Sequence, residues 1–218
     1  MLERGDLLAL HEPLEGQLYF GDTEIDGRRF ESTTSLLAWL GDQTDGREVY
    51  LKETTEPRVL DLVLADRRFL HETRFALLIR RPEEIAASLH AMQPDIGIEA
   101  IGLEALYDLH AAVCDAGGRE PVIIDSDDLV DRPAATIAAY CAAIGLPFLP
   151  HALTWAPGVR PEWQRTSRWH EAASASSGFE RRARTYSHDV RTDSSLARFA
   201  AHHRPFYDKL HARRLVVP

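Results

Sequence analysis

The sequence has little cysteine and no long apolar run, and each shortage removes a class of protein. Its two cysteines, Cys114 and Cys141, lie in helix-like stretches with no CxxC spacing. Both therefore read as small core residues, and a reducing cytoplasm is the expected compartment. No apolar stretch approaches the roughly 20 residues that a membrane helix needs. The start, MLERGDLLAL, lacks the basic end, apolar centre and small-residue cleavage site of a secretory signal. A basic surface is missing too: 34 acidic against 25 basic residues give a net charge of −9. That balance argues against a general nucleic-acid binder and leaves any anionic ligand to a few local arginines. No repeat or low-complexity tract stands out, and His202 and His203 carry no metal-ligand spacing, so they read as ordinary helix residues.

What is present is an alternation of short apolar runs with helical patterns over 218 residues, expected to form a single domain, 1–218. Strands are predicted at Leu7 to His11, Glu48 to Lys52, Phe75 to Ile79 and Val122 to Asp125. Helices are predicted for SLLAWL after Ser32, Thr33 and Thr34, for PRVLDLVLADRRFL, and from Pro82 with Glu83 and Glu84 in its first turn. IEAIGLEALYDLHAAVCDAGG reads as a fourth, and DRPAATIAAYCAAIG as a fifth with Asp131 as cap and Gly145 as stop. After Pro147 a proline-rich and then Trp-, Arg- and Ser-rich stretch reads as a long loop, closed by a helix from about Ser195 to Arg213. The order points to an α/β, three-layer fold with a central parallel sheet flanked by helices.

Ligands of open parallel sheets bind beyond the carboxyl ends of the strands. Those ends carry His11 and Glu12, Lys52 and Glu53, Arg80 and Arg81, and Asp125 with Asp127 and Asp128. Taken singly, each is also what a solvated turn would show. In FALLIRRPEEIAASL, Arg80 ends a strand, Pro82 opens a helix and Ser88 follows two turns later. A guanidinium and a hydroxyl so spaced can clamp one phosphate, although a small residue such as Ser88 also serves close helix packing.

LIRRPEEIAASL resembles the strand-loop-helix segment of sulfotransferases that use 3′-phosphoadenosine 5′-phosphosulfate (PAPS). In that family an arginine and a serine eight positions apart hold the donor's 3′-phosphate; carried over, these are Arg80 and Ser88. PVIIDSDDLVDRPAATIAAYCAAIGLPF is similar to the family's second strand, acidic turn, P-x-x-T helix and closing G-L-P-F. With HEPL and LKET, the ordered set resembles a bacterial subgroup over most of the chain. The resemblance implies a P-loop-type sulfotransferase-like fold, Glu12 as general base and Lys52 as the cation that neutralises developing charge. It implies PAPS, or its product PAP, as the nucleotide, no metal, and a small-molecule acceptor carrying a hydroxyl or amine. His11 is the alternative base, but strand alternation predicts that only one of His11 and Glu12 faces the site. In EWQRTSRWHEAASASSGFE, similarity around Trp169, His170 and Ser177 to Phe179 suits a segment that stacks on a base or covers an acceptor, so Arg168 and Trp169 are further nucleotide candidates. A surface loop anchored by two tryptophans is the competing reading. Acceptor specificity is expected in the Leu14 to Arg29 loop and the Trp155 to Phe179 loop. No nucleic-acid or membrane partner is expected; a homodimer is left open.

One family feature is missing. No Ser/Thr/Gly-rich loop and no GxxxxGK[ST] is present to cradle the 5′-phosphosulfate, and MLERGD reads as the tail of the helix that would follow such a loop. Either the loop lies upstream of Met1, which we expect, or a sulfotransferase-like, non-catalytic nucleotide-binding or regulatory protein has lost it. A P-loop kinase would need a lysine-bearing phosphate loop that the sequence does not offer, although Asp125 could hold its magnesium. An unrelated non-catalytic α/β domain would have no nucleotide affinity.

Overall fold

A computed structural model of the chain describes residues 1–42, 48–181 and 185–217. They group into two compact units, Met1–Arg74 with Leu109–Glu120, and Phe75–Asp108 with Pro121–Pro218. The parallel α/β class expected from the alternation is what the hydrogen bonds record: one parallel strand pair in each unit.

The first unit opens with a single 3-10 turn, Leu2–Arg4, where MLERGD had read as a helix tail. Strand β1, Leu8–His11, follows, then helix α1, Pro13–Phe20, and a hairpin of β2, Glu24–Ile25, with β3, Arg28–Arg29. Three of these elements, α1, β2 and β3, correct the loop expected over Leu14 to Arg29. Pro13 presets the first helical φ and Gly21, at φ 70°, ends α1 in the left-handed region that costs glycine nothing. Asp26 and Gly27, both at positive φ, are the two turn residues between Ile25 and Arg28.

Helix α2, Thr33–Gly41, is capped reciprocally by Ser32 and Ser35. Strand β4, Val49–Lys52, pairs with β1 in register Leu8 to Val49 through His11 to Lys52. The single helix expected over PRVLDLVLADRRFL is two, α3, Pro57–Ala65, and α4, Arg67–Glu72. The break is Asp66, whose carboxylate leaves the helix to accept the Phe69 amide at 2.9 Å. Leu14, Phe30, Leu36, Val59, Phe69 and Leu70 are among the buried apolar residues of this unit.

In the second unit β5, Ala76–Ile79, leads into α5, Pro82–Met92. Gly102, at φ 74°, divides the expected fourth helix into a 3-10 turn, Ile98–Ile101, and α6, Leu103–Asp115, whose residues from Leu109 onward are grouped with the first unit. Strand β6, Val122–Asp125, pairs in parallel with β5 and runs directly into α7, Ser126–Asp131, then α8, Pro133–Ile144. Asp131, expected as the cap of α8, instead closes α7 and pairs with Arg181 at 2.8 Å; Arg132 holds the cap position. Gly145 stops α8 as predicted. The stretch after Pro147 contains two 3-10 turns and α9, Ser167–Ser174, and α10, Ser194–His211, closes the unit along α5.

The cysteines part company. Cys141 is buried on α8, but Cys114, expected in the core, is exposed in the last turn of α6, 4.0 Å from His110 one turn earlier. Helical periodicity turns it to the solvent side that Asp115 also occupies. His203 is buried on α10, its Nδ1 accepting the Glu104 amide and its Nε2 donating to the Ile98 carbonyl at 2.8 Å. Among the described residues no helix is long and apolar enough to cross a membrane.

Candidate functional site

At the carboxyl ends of β1 and β4 the structure brings Glu12, Lys52 and His11 together. The Glu12 amide donates to the Lys52 carbonyl at 2.7 Å, extending the parallel ladder by one bond. Glu12 then leaves the strand at φ 48° and ψ 47°. A proline at the next position disfavours the right-handed helical region for its predecessor, and Pro13 opens α1 immediately. The left-handed region costs a residue with a Cβ on the order of 1 kcal/mol.

This backbone turn overrides the alternation argument. Glu12 no longer follows the pleat, so its carboxylate lies 3.5 Å from His11 Nε2 and pairs with Lys52 Nζ. Only two of the chain's 25 basic residues are lysines, Lys52 and Lys209. The Glu12 side chain is 13% exposed while that of Lys52 is 46% exposed, so the ammonium can be reached by a ligand without unfolding the pair.

Helix α1 has an unusual cap. Glu12 occupies the N-cap position but makes no side-chain cap bond. The free amides are met from elsewhere: Glu53, just past β4, accepts the Leu14 amide at 2.7 Å and also bonds the Glu15 amide. Its other oxygen, Oε2, is buried with no hydrogen-bond partner. Burial pushes the Glu53 carboxyl up to about 8 against those two amides, with the Glu15 and Glu12 carboxylates adding to the rise. Burial raises Glu15 as well, opposed by the Thr54 hydroxyl that donates to it.

The second unit holds the other predicted residues. Arg80 follows β5 and its Nε donates to Glu84 Oε2 at 2.8 Å, which fixes the guanidinium plane and leaves its Nη groups for a ligand. Ser88 lies two turns along α5, half-buried, and Arg80 makes its bond to Glu84 and not to Ser88. Arg81 pairs with Glu84 and, at 3.2 Å, with Asp127, which also takes Arg181 at 2.9 Å. Asp125 serves structure: it is buried, accepts the Asp127 amide and receives the Tyr207 hydroxyl at 2.9 Å.

Arg168 and Trp169 lie on α9. Trp169 is exposed and carries the Arg168 guanidinium 4.8 Å over its ring. Trp155 and Trp163 act as anchors: Trp155 donates to Ser176 Oγ at 3.1 Å and meets Phe179 edge-on, and Trp163 stacks on His170 with centroids 4.9 Å apart. A bridge between Thr154 and Gly178 ties the segment's ends together. Sequence reading missed Glu53 as anything more than a strand-end charge, because its partners are amides 38 and 39 residues earlier.

A family model described as "Sulfotransferase domain" matches residues 38–214. "Branched-chain-amino-acid aminotransferase-like protein 2" of Arabidopsis thaliana is 28% identical over 189 residues, covering 81% of this chain. The chain spans only 32% of that relative's length. The solved "Sulfotransferase Domain from the Curacin Biosynthetic Pathway" is similar over 79% of this chain and 68% of its own, with 15% identity and a TM-score of 0.40.

Proposed function

The chain belongs to the sulfotransferase family, and from that premise we propose that it transfers a sulfuryl group from PAPS to a hydroxyl or amine of a small-molecule acceptor. The observation that carries the reading is the Glu12–Lys52 pair, a sheltered carboxylate and a reachable ammonium joined where two parallel strands end. An acceptor hydroxyl must shed a proton as its oxygen bonds to sulfur, and Glu12 is the group assigned to take it. Lys52 neutralises charge gathering on the sulfuryl oxygens. His11, 3.5 Å from Glu12, is the alternative proton acceptor.

In the second unit the reading gives the 3′-phosphate to Arg80 and Ser88. The donors present fit a phosphate: Arg80 offers Nη groups on a guanidinium held by Glu84, at the amino-terminal end of α5, whose dipole favours an anion. Trp169 with Arg168 is assigned to the adenine face. The nucleotide supplies the electrophilic sulfuryl group and a phosphate leaving group. No residue of this chain is assigned to the 5′-phosphosulfate, and no step is assigned to a metal. The same reading keeps the reaction in the cytoplasm.

Calorimetric titration with adenosine 3′,5′-bisphosphate tests the donor assignment. The chain should bind, and Arg80→Ala should weaken binding by about 1.5 to 3 kcal/mol, the value of a lost charge-assisted contact. No binding by the unmodified chain would sink the assignment. Binding without sulfuryl transfer to any hydroxyl or amine would leave a nucleotide-binding, non-catalytic protein.

A further inference from the structure

Helix N-termini expose amides that the N-cap side chain ordinarily satisfies. In α1 that duty would fall to Glu12, the residue whose carboxylate is instead committed to Lys52. Glu53 accepts the Leu14 amide at 2.7 Å and the Glu15 amide, so the first turn is capped from the neighbouring strand end. Pro13 has no amide to satisfy, and the Gly16 amide bonds the Glu12 carbonyl at 2.8 Å. The capping account of α1 therefore closes without the Glu12 side chain.

We propose that Glu53 is a positioning residue that caps α1 in place of Glu12 and thereby frees the Glu12 carboxylate to face Lys52. Two residues share what one N-cap does elsewhere: Glu12 supplies the backbone turn and Glu53 supplies the oxygen. The charged groups beside Glu53 are the Glu12 and Glu15 carboxylates on the α1 side, and Lys52, the last residue of β4, precedes it. With its second oxygen buried and unpartnered, the carboxyl is best accommodated as the neutral acid, which still accepts the Leu14 amide through Oε1. A glutamine reproduces that acceptor without the charge, whereas an alanine leaves two amides uncapped and draws the Glu12 side chain back to them.

The catalytic arm of this inference rests on Glu12 being the base; the structural arm does not. Glu53→Ala and Glu53→Gln are compared with the unmodified chain, isotopically labelled, by following the Glu12 carboxyl carbon, the Leu14 and Glu15 amides and the Lys52 ammonium through a pH titration. In Glu53→Ala the Glu12 and Lys52 resonances should both move away from their paired values, and in Glu53→Gln they should return. In parallel, kcat for transfer should fall about 10²-fold in Glu53→Ala, the scale of a misplaced catalytic group, with nucleotide affinity unchanged and activity restored in Glu53→Gln. Unaltered Glu12 and Lys52 resonances in Glu53→Ala would overturn the proposal. So would Glu53→Gln disturbing them as much as alanine does. If the unmodified chain transfers no sulfuryl group, the proposed activity fails, and the resonances still decide the role of Glu53. If Glu53→Ala does not fold, the unmodified chain decides: Leu14, Glu15 and Glu12 must shift together as Glu53 titrates, and independent shifts would refute the link.

Discussion

Glu12 is joined to Lys52 twice, through its amide to the Lys52 carbonyl at 2.7 Å and through its carboxylate to the Lys52 ammonium. The main-chain bond fixes where Glu12 leaves the sheet, and the side-chain bond fixes where its oxygens go. Forty residues separate the two in sequence.

Removing only the basicity of Glu12 separates binding from chemistry. Glu12→Gln should leave affinity for adenosine 3′,5′-bisphosphate unchanged and lower turnover by about 10² to 10⁴, the range of a lost general base. Unchanged turnover would take Glu12 out of the reaction and leave His11 to be tested in its place.

Glu12→Gly tests the backbone. The residue sits at φ 48°, where glycine is at ease and other residues are strained by about 1 kcal/mol. Unfolding free energy should stay within about 1 kcal/mol of the original while transfer is lost. A large loss of stability would mean that the side chain holds the fold as well as the site.

Stability should depend on pH with opposite signs in the two units. Glu53 is raised from 4.5 to about 8, so the folded chain holds a proton that the unfolded chain releases. Its contribution is complete below about pH 4.5 and is lost as pH rises through 8. His203 is lowered from 6.5, chiefly by burial, so the unfolded chain binds a proton that the folded one refuses. Its contribution is present above 6.5 and declines as pH falls through the lowered value. Urea unfolding between pH 5 and 9 should show Glu53→Gln flattening the alkaline side and His203→Gln the acid side; parallel curves for all three chains would refute both assignments.

Trp169 is exposed, whereas Trp155 and Trp163 are tied to their own segment. Trp169→Ala should weaken nucleotide binding by about 1 to 3 kcal/mol, the value of one base stacked on an aromatic ring, and abolish the quenching of tryptophan fluorescence by the nucleotide. Quenching that survives in Trp169→Ala would move the base to another ring.

The cysteines can be counted directly. A disulfide reagent such as dithionitrobenzoate should titrate one thiol in the folded chain, Cys114, and two after denaturation, when Cys141 emerges. Two fast equivalents in the folded state would contradict the burial of Cys141.

Much of the scaffold is legible in the sequence because it follows from local chemistry. Four strands were expected where four parallel strands lie; three begin one residue later than expected, and Val122–Asp125 agrees at both ends. Apolar runs, the missing amide of Pro82 and the acidic first turn of α5 act within a few residues. The family resemblance rested on similarly local segments and agrees with the matched domain over 38–214. Where reading failed locally, a polar group had a choice of partner. Asp66 capped a new helix, and Asp131 turned to Arg181, 50 residues away. What only the tertiary structure decided is the left-handed turn at Glu12, its pairing with Lys52 and the capping of α1 by Glu53. Each depends on two strand ends being laid side by side, and hydrogen-bond partners 39 or 40 residues apart leave no periodicity in the sequence that joins them.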